Sequence, residues 1–260
     1  MTRRGTRFVR GAAGIAGAVV IAELATRFGP FDPDDVPPAS TVLLRAVELA
    51  GDGEFLPEVA GTIRAWLGGL LLATLASVTL GLVLSLTPWL NNAARVVVEF
   101  LRPIPALALI PLAIVSFSSV TQSKMSLVFW AASWPILINT LYALRDVDPV
   151  AKETLRSFGF GKAAVLLRVS LPSAAPFAAT GVRIAASVGL VVVVSTELFA
   201  GAGEGVGGFL MESQSGGGRP DLMLAGAVWA GVLGVIANAL LVALERRTFR
   251  WHTAQTLEAA

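Results

Sequence analysis

The chain has 260 residues, of which 55% are hydrophobic and 15% charged, and its mean hydropathy is +0.72. Soluble domains carry about 25% charged residues, so the composition argues against a soluble domain. The sequence has no cysteine and one histidine, His252, which excludes disulfides, thiolate nucleophiles and cysteine-based metal sites. The pI of 9.5 comes from basic residues at the ends of apolar segments, so we expect no nucleic-acid partner.

Apolar runs dominate the chain, and each is about as long as a bilayer-spanning helix, roughly 20 residues. They do not alternate apolar and polar side chains as barrel strands do, so the sequence predicts an all-α, polytopic membrane helical bundle. About six transmembrane helices are expected, at residues 11–28, 62–86, 104–120, 125–144, 177–199 and 222–244.

The N-terminal region, residues 1–60, differs from the rest. A basic start precedes the first apolar segment, which Glu23 interrupts; a cleaved signal peptide fits this pattern, but we favour a retained signal anchor. The following segment, 29–60, has seven acidic residues and one basic residue, Arg45, which indicates an exported acidic loop with a short helix near 40–50. The transmembrane domain is then 61–251, followed by a cytoplasmic tail at 252–260.

Basic residues predict the orientation of the bundle. With the N-terminus inside, fourteen lysines and arginines lie in or beside inside segments, and five lie outside. This positive-inside bias indicates a multi-pass protein of the plasma (inner) membrane with both termini in the cytoplasm.

The cytoplasmic segment between the fourth and fifth spans carries helix signals. Asp148 before Pro149 predicts a helix start, because the carboxylate can cap free amides and proline needs no amide bond there. Gly159 can end this helix in a left-handed conformation, and a second helix is expected until it is stopped ahead of Pro172. A short helix with an apolar stripe suits a groove on a partner, although a helix resting on lipid headgroups explains the amphipathicity equally well.

This segment resembles the EAA loop of ABC importer permeases, whose motif is Glu-Ala-Ala, three residues, Gly, nine residues and Ile-x-Leu-Pro. At the same spacing the chain has Glu153-Thr154-Leu155, Gly159 and Val169-Ser170-Leu171-Pro172. Both alanines are replaced, and valine stands for isoleucine. The similarity extends over about residues 60–251 and is to the sulfonate, nitrate and taurine branch.

The resemblance implies the permease subunit of an ATP-driven importer, which forms the translocation pathway by alternating access for a small organic or inorganic anion such as a sulfonate or nitrate. The implied partners are two cytoplasmic ATPase subunits, a periplasmic or lipid-anchored solute-binding protein, a second permease copy forming a homodimer, and membrane lipid. The implied ATPase-docking residues of this coupling helix are Glu153, Thr154, Leu155, Phe158, Gly159, Leu171 and Pro172.

Polar residues within the spans either line the pathway or bridge helices by hydrogen bonds. The candidates for the pathway are Asn139, Ser187, Ser195, Glu197 and Asn238. The prolines at 103, 105 and 111 predict a broken helix near the pathway. The stretch 203–208 matches G-x-G-x-x-G formally, but we interpret it as a flexible outer loop because no βαβ unit surrounds it.

Two other function classes remain open at this point. A secondary transporter or channel not coupled to an ATPase would carry internal repeats and intramembrane carboxylates, of which only Glu23 and Glu197 are candidates. A membrane enzyme would need clustered nucleophiles, histidines or carboxylates. We expect no catalytic residue, metal or cofactor, and the sequence has no P-loop, so ATP must be hydrolysed by a partner.

Overall fold

The computed structural model describes residues 3–30, 32, 35–199, 204–215 and 218–249. Throughout these ranges the regular secondary structure is helical, which confirms the all-α prediction. The α-helices are α1 Arg3–Phe28, α2 Ala39–Leu49, α3 Phe55–Leu86, α4 Pro88–Leu101, α5 Ile110–Ser116, α6 Val120–Arg145, α7 Pro149–Ser157, α8 Lys162–Val165, α9 Leu171–Phe199, α10 Val206–Ser215 and α11 Pro220–Thr248. The expected tail with His252 lies outside the described residues.

Five helical stretches of the described chain are long and apolar enough to cross a membrane. They are Val9–Phe28, Phe55–Leu86, Val120–Arg145, Lys162–Phe199 and Pro220–Thr248. A bent pair, Pro88–Leu101 with Ala106–Ser116, becomes the sixth span if its two halves are counted together. The predicted number of spans is therefore confirmed.

The third span, expected over 104–120 with a break at its prolines, is a broken helix as predicted, but it begins earlier than expected. Residues 106–109 make a 3₁₀ turn and α5 is seven residues long, while α4 begins much earlier, at Pro88. The two halves of the pair meet at 81°. Pro103 and Pro105 lie at this break, where proline lacks an amide donor and its ring clashes with the backbone of a continuing helix.

The sequence predicted that the second cytoplasmic helix would stop ahead of Pro172, and this prediction is wrong. Residues 166–170 form a π-helical turn between α8 and α9, and helical structure continues to Phe199. Proline is accepted in the first turn of a helix, and a π turn relaxes the hydrogen-bond ladder next to it. The segment 162–170 is thus continuous with the fifth span.

The core lies where α6 packs against α3 on one side and α9 on the other. Polar side chains bridge these helices: the Trp66 indole donates to the Ala186 carbonyl at 2.9 Å, and the Ser77 hydroxyl donates to the Ser133 carbonyl at 3.1 Å. In a bilayer such bonds and close packing hold helices together, because lipid offers no hydrophobic drive for association.

Helix α1 lies apart from this core, since its membrane-spanning part has no buried residue. Its link to the rest is Glu23, whose carboxylate accepts hydrogen bonds from the backbone and hydroxyl of Ser40, in α2, at 2.8 and 2.9 Å. The polar interruption of the first apolar segment is therefore a tether between α1 and α2.

We predict that Gly69→Ala lowers the free energy of unfolding by about 1–3 kcal/mol, because an added methyl group overpacks the α3–α6 contact. It would lie 2.6 Å from the Val128 Cβ and 2.7 Å from the Met125 carbonyl oxygen. Gly231→Ala is the matched control, since nothing lies within 4 Å of its added methyl group. Thermal unfolding of the purified proteins in detergent measures both, and equal midpoints would contradict the packing assignment.

Candidate functional site

The two ends of α7 are built from local signals, as the sequence predicts. The Asp148 carboxylate accepts a hydrogen bond from the Val150 amide at 2.8 Å, which caps the first turn. At the other end the Gly159 amide donates to the Arg156 carbonyl at 2.9 Å and the Phe160 amide donates to the Leu155 carbonyl at 3.2 Å. These two bonds define a Schellman motif, which needs the left-handed Gly159, with φ at +82°.

The solvent-facing side of α7 carries apolar side chains that none of the described residues covers. None of its residues is buried, and Phe158, at its C-cap, is 77% exposed. Val150 is 67% exposed, while Glu153 and Thr154 are exposed beside them and Leu155 is half-buried. Exposed apolar groups rimmed by polar residues are typical of a surface that another protein covers.

Beneath α7, the chain holds the helix firmly against the bundle. The Lys152 ammonium donates to the Leu144 carbonyl at the end of α6, at 3.1 Å. A small buried cluster below joins α6 to the start of α9; it consists of Ala143, Leu144, Val147 and Ala174. Through Lys152 and the segment that follows it, α7 is thus connected to the end of α6 and the start of α9.

Leu171 and Pro172 do not join the exposed face of α7. They occupy the first turn of α9, where Leu171 is half-buried and Pro172 is exposed. The predicted docking residues therefore fall in two places: five around α7 and two at the start of the long helix that α7 leads into.

A buried ion pair joins α6 and α9 at the opposite end of the bundle. The Lys124 ammonium lies 3.1 Å from a Glu197 carboxylate oxygen, and the two residues are 1% and 0% exposed. The Thr62 hydroxyl, on α3, contacts the same carboxylate at 2.9–3.0 Å. The Lys124 ammonium also donates to the Glu204 carbonyl at 2.7 Å.

The same side chains hold the start of α10. Three consecutive backbone amides there donate to side chains of α3 and α9, so the helix begins with its free donors satisfied from outside itself. The bonds are Gly205 to the Glu58 carboxylate, Val206 to the Thr62 hydroxyl at 2.9 Å, and Gly207 to the Glu197 carboxylate at 3.1 Å. We call Glu58, Thr62, Lys124, Glu197 and these amides the outer network.

Two sequence interpretations change at the outer network. The glycine-rich stretch is not a flexible loop from 206 onward, because Val206, Gly207 and Gly208 begin α10 and are buried. Glu197 was a candidate for the pathway, yet its side chain is enclosed within the chain and has no open surface in this conformation. Sequence reasoning missed Lys124, although a lysine at the outer edge of one span and a glutamate at the outer edge of another are a recognisable pair.

Three other pathway candidates lie together. Ser187, Ser195 and Asn238 line one groove of about 600 Å³ between α9 and α11. Its remaining lining is apolar or glycine, including Val191, Val235 and Gly231. We call it the α9–α11 groove.

Asn139 lies away from that groove. Its side-chain amide donates to the Pro135 carbonyl at 2.8 Å, and its Cβ faces Gly181 at the α6–α9 contact. The residue also borders a separate cavity with Arg145 and Phe177. Its position is that of a helix-bridging residue as much as of a pathway residue.

Two further ion pairs tie α11 to its neighbours. Arg45, on α2, pairs with Glu48 at 2.5 Å and with Asp221 at 3.0 Å, and these hydrogen bonds and charges, led by Glu48, raise the pKa of its guanidinium. At the inner end Arg183 lies 3.5 Å from Glu245. No group of three or more metal-binding side chains occurs in the described part of the chain.

Comparison with known proteins gives a consistent match. The family described as "Binding-protein-dependent transport system inner membrane component" matches residues 66–250. The taurine transport system permease protein TauC of Escherichia coli is 30% identical over 222 residues, which cover 84% of this chain and 80% of TauC. The nitrate import permease NrtB of Leptolyngbya laminosa is 26% identical over 184 residues, covering 71% and 65% of the two chains. The bicarbonate transport system permease CmpB of Synechococcus elongatus is 28% identical over 198 residues, covering 76% and 70%.

Solved structures share the fold. The MetNI methionine ABC transporter in an inward-facing conformation matches with a TM-score of 0.63 at 18% identity, covering 75% of this chain and 95% of that one. A bacterial ABC transporter involved in alginate import matches with a TM-score of 0.67 at 14% identity, covering 90% of each chain.

We predict that Glu197→Gln lowers the free energy of unfolding by about 3–5 kcal/mol, because it leaves the buried Lys124 ammonium without a counter-charge. The double variant Lys124→Met, Glu197→Gln removes both charges and is expected to recover part of that loss. Glu48→Gln is the control, since the same chemical change in an exposed pair should have no measurable effect. Thermal unfolding in detergent measures all three, and a double variant no more stable than Glu197→Gln would overturn the assignment.

Proposed function

The chain belongs to the family of binding-protein-dependent transport system inner membrane components, and we propose that residues 148–172, the coupling segment, dock onto cytosolic ATPase subunits. This chain is a multi-pass inner-membrane permease subunit of an ABC importer. It moves solute while a separate subunit hydrolyses ATP. The family assignment therefore decides against a secondary transporter, a channel or a membrane enzyme.

The observation that carries the docking proposal is the exposed apolar face on a rigid base. Phe158 presents most of its ring to solvent, while the Lys152 ammonium bonds the end of α6 and α7 contacts α8 and the π turn that lead into α9. Docking removes that apolar surface from water, and a rigid base transmits the movement of the partner instead of absorbing it. The excess of basic residues on this side supports a cytosolic location.

The proposed assembly has two copies of this permease and two ATPase subunits, with a solute-binding protein at the outer face. One coupling segment per permease gives one ATPase contact per copy. ATP-driven closure of the ATPases would bring the two segments together and rotate the permeases between inward-facing and outward-facing states. The structurally similar alginate transporter has been solved in complex with a substrate-bound periplasmic protein.

We propose a small oxyanion as the class of solute. The relatives include permeases named for taurine, nitrate and bicarbonate. Nitrate and bicarbonate are oxyanions, and taurine carries a sulfonate group. The shared chemistry is a compact group of oxygen atoms that carries negative charge.

The α9–α11 groove is the proposed lining of the pathway. It combines hydroxyl and amide groups, from Ser187, Ser195 and Asn238, with apolar walls. Such a surface offers hydrogen bonds without fixed charge, so a passing anion is contacted but not held tightly. The enclosed Glu197 would instead fix the outer end of α9, which is one of the two helices that form this groove.

We predict that Gly159→Asp abolishes solute uptake and its coupling to ATP hydrolysis while membrane insertion persists. Residue 159 has a left-handed backbone, which L-residues rarely adopt, so the Schellman end and the position of Phe158 would change. Gly161→Asp is the matched control, because residue 161 has φ at −68° and precedes α8 as its N-cap, where aspartate is favoured. Uptake and solute-stimulated ATPase activity in proteoliposomes are the measurements; wild-type uptake by Gly159→Asp would contradict docking.

We also predict that Ser195→Cys reacts with a water-soluble thiol reagent in the assembled transporter, whereas Thr196→Cys does not. The two positions are neighbours on α9, but Ser195 lines the α9–α11 groove and Thr196 is 1% exposed. Because the chain has no cysteine, each variant carries a single thiol. Equal labelling of both, or of neither, in inward-facing and outward-facing preparations would contradict the proposed lining.

A further inference from the structure

A cavity of about 550 Å³ lies on the cytoplasmic side of the bundle, between α4 and α6. We call it the inner cavity. One wall comes from α4 and the proline break that follows it, and the other comes from the last turns of α6, with Leu84 of α3 between them. The coupling segment and the α9–α11 groove do not share its walls, so the docking and pathway proposals leave this cavity unexplained.

Three arginines from separate parts of the chain meet at this cavity. Arg95 comes from α4, Arg102 from the proline break and Arg145 from the last turn of α6. Arg95 pairs with Glu99 at 2.7 Å, but neither Arg102 nor Arg145 forms an ion pair with any residue that the structure describes. With three arginines and one glutamate, the lining carries a formal charge of +2.

The remaining lining adds hydrogen-bond donors and an apolar patch. The Asn91 amide and the Tyr142 hydroxyl border the cavity, and Val98, Ile138 and Leu141 form its apolar part. A guanidinium presents two parallel N–H groups, which match two oxygens of a phosphate, sulfonate or carboxylate. Apolar side chains next to such donors accommodate the carbon portion of the same molecule.

We propose that the inner cavity is a binding site for an organic oxyanion, held by Arg102 and Arg145. The anionic group has two possible sources: the phosphate of an inner-leaflet phospholipid or a soluble sulfonate in the cytosol. Both present the same oxygens to the two guanidinium groups. Apart from its cytoplasmic orientation, which follows from the charge distribution, the site does not depend on the docking or pathway proposals.

An occupant of this site would contact Arg145, which lies shortly before the coupling segment along the chain. Arg145 is the last residue of α6, and α7 begins at Pro149. Asp146, next to Arg145, borders a neighbouring cavity and forms no ion pair with this arginine, so Arg145 keeps its donors for an anion. Binding would draw Arg102 and Arg145 together across the gap between α4 and α6.

The test uses the purified full-length protein in two preparations. In the first, native mass spectrometry counts dioleoylphosphatidylglycerol retained after dilution from mixed micelles. In the second, saturation-transfer NMR of the methanesulfonate methyl group measures soluble anion binding in phosphatidylcholine nanodiscs. The variants are Arg102→Gln with Arg145→Gln, the same pair changed to Lys, and Arg247→Gln as the control. All three arginines are exposed, so the substitutions leave no buried charge unpaired, and Arg247 lies outside the cavity.

The Gln pair should lose binding by roughly tenfold in whichever preparation shows it, because two charge-assisted contacts disappear. The Lys pair should lose less binding, since lysine keeps the positive charge but lacks the two parallel N–H groups of a guanidinium. Loss with phosphatidylglycerol alone identifies a lipid headgroup, and loss with methanesulfonate alone identifies a soluble anion. No loss in either preparation, or the same loss with Arg247→Gln, would overturn the proposal.

Discussion

Four helices depend on one buried charge pair at the outer end of the bundle. Lys124 and Glu197 are shielded from water, so neither charge is tolerable without the other. The pair also fixes α3 through Thr62, and α10 through its first backbone amides. The inner end has no comparable pair among the described residues, since the Arg183–Glu245 contact is longer and partly exposed. The bundle is therefore fixed more tightly outside than inside, where the proposed ATPase contact lies.

The sequence predicted those parts of the fold that local chemistry decides. Hydropathy gave the number of spans, because each span must satisfy its own backbone in lipid. The ends of α7 were predictable for a similar reason, since Asp148 caps an adjacent turn and Gly159 permits a left-handed residue. The family motif added the expected role of this segment, which amphipathicity alone could not separate from a helix resting on lipid.

Features that depend on distant contacts were missed or misinterpreted. The pairing of Lys124 with Glu197 joins positions 73 residues apart, and α10 is ordered by side chains from α3 and α9. The glycine-rich stretch at the start of α10 was interpreted as a flexible loop because its contacts with α3 and α9 cannot be read from the sequence. The prolines predicted the break in the bent pair, but the polar face of α4 concealed the helical half that precedes them. Among the pathway candidates, spacing could not distinguish an enclosed carboxylate from groove-lining hydroxyls.

The unbroken run of α9 has a geometric consequence. At 1.5 Å per residue its 29 residues span about 44 Å, from the end of the coupling segment to just beyond Glu197. For a stiff rod of that length, each degree of tilt about one end displaces the other by about 0.8 Å. Under the proposed docking, a tilt of a few degrees at the inner end of α9 would move its outer end by about the length of a hydrogen bond.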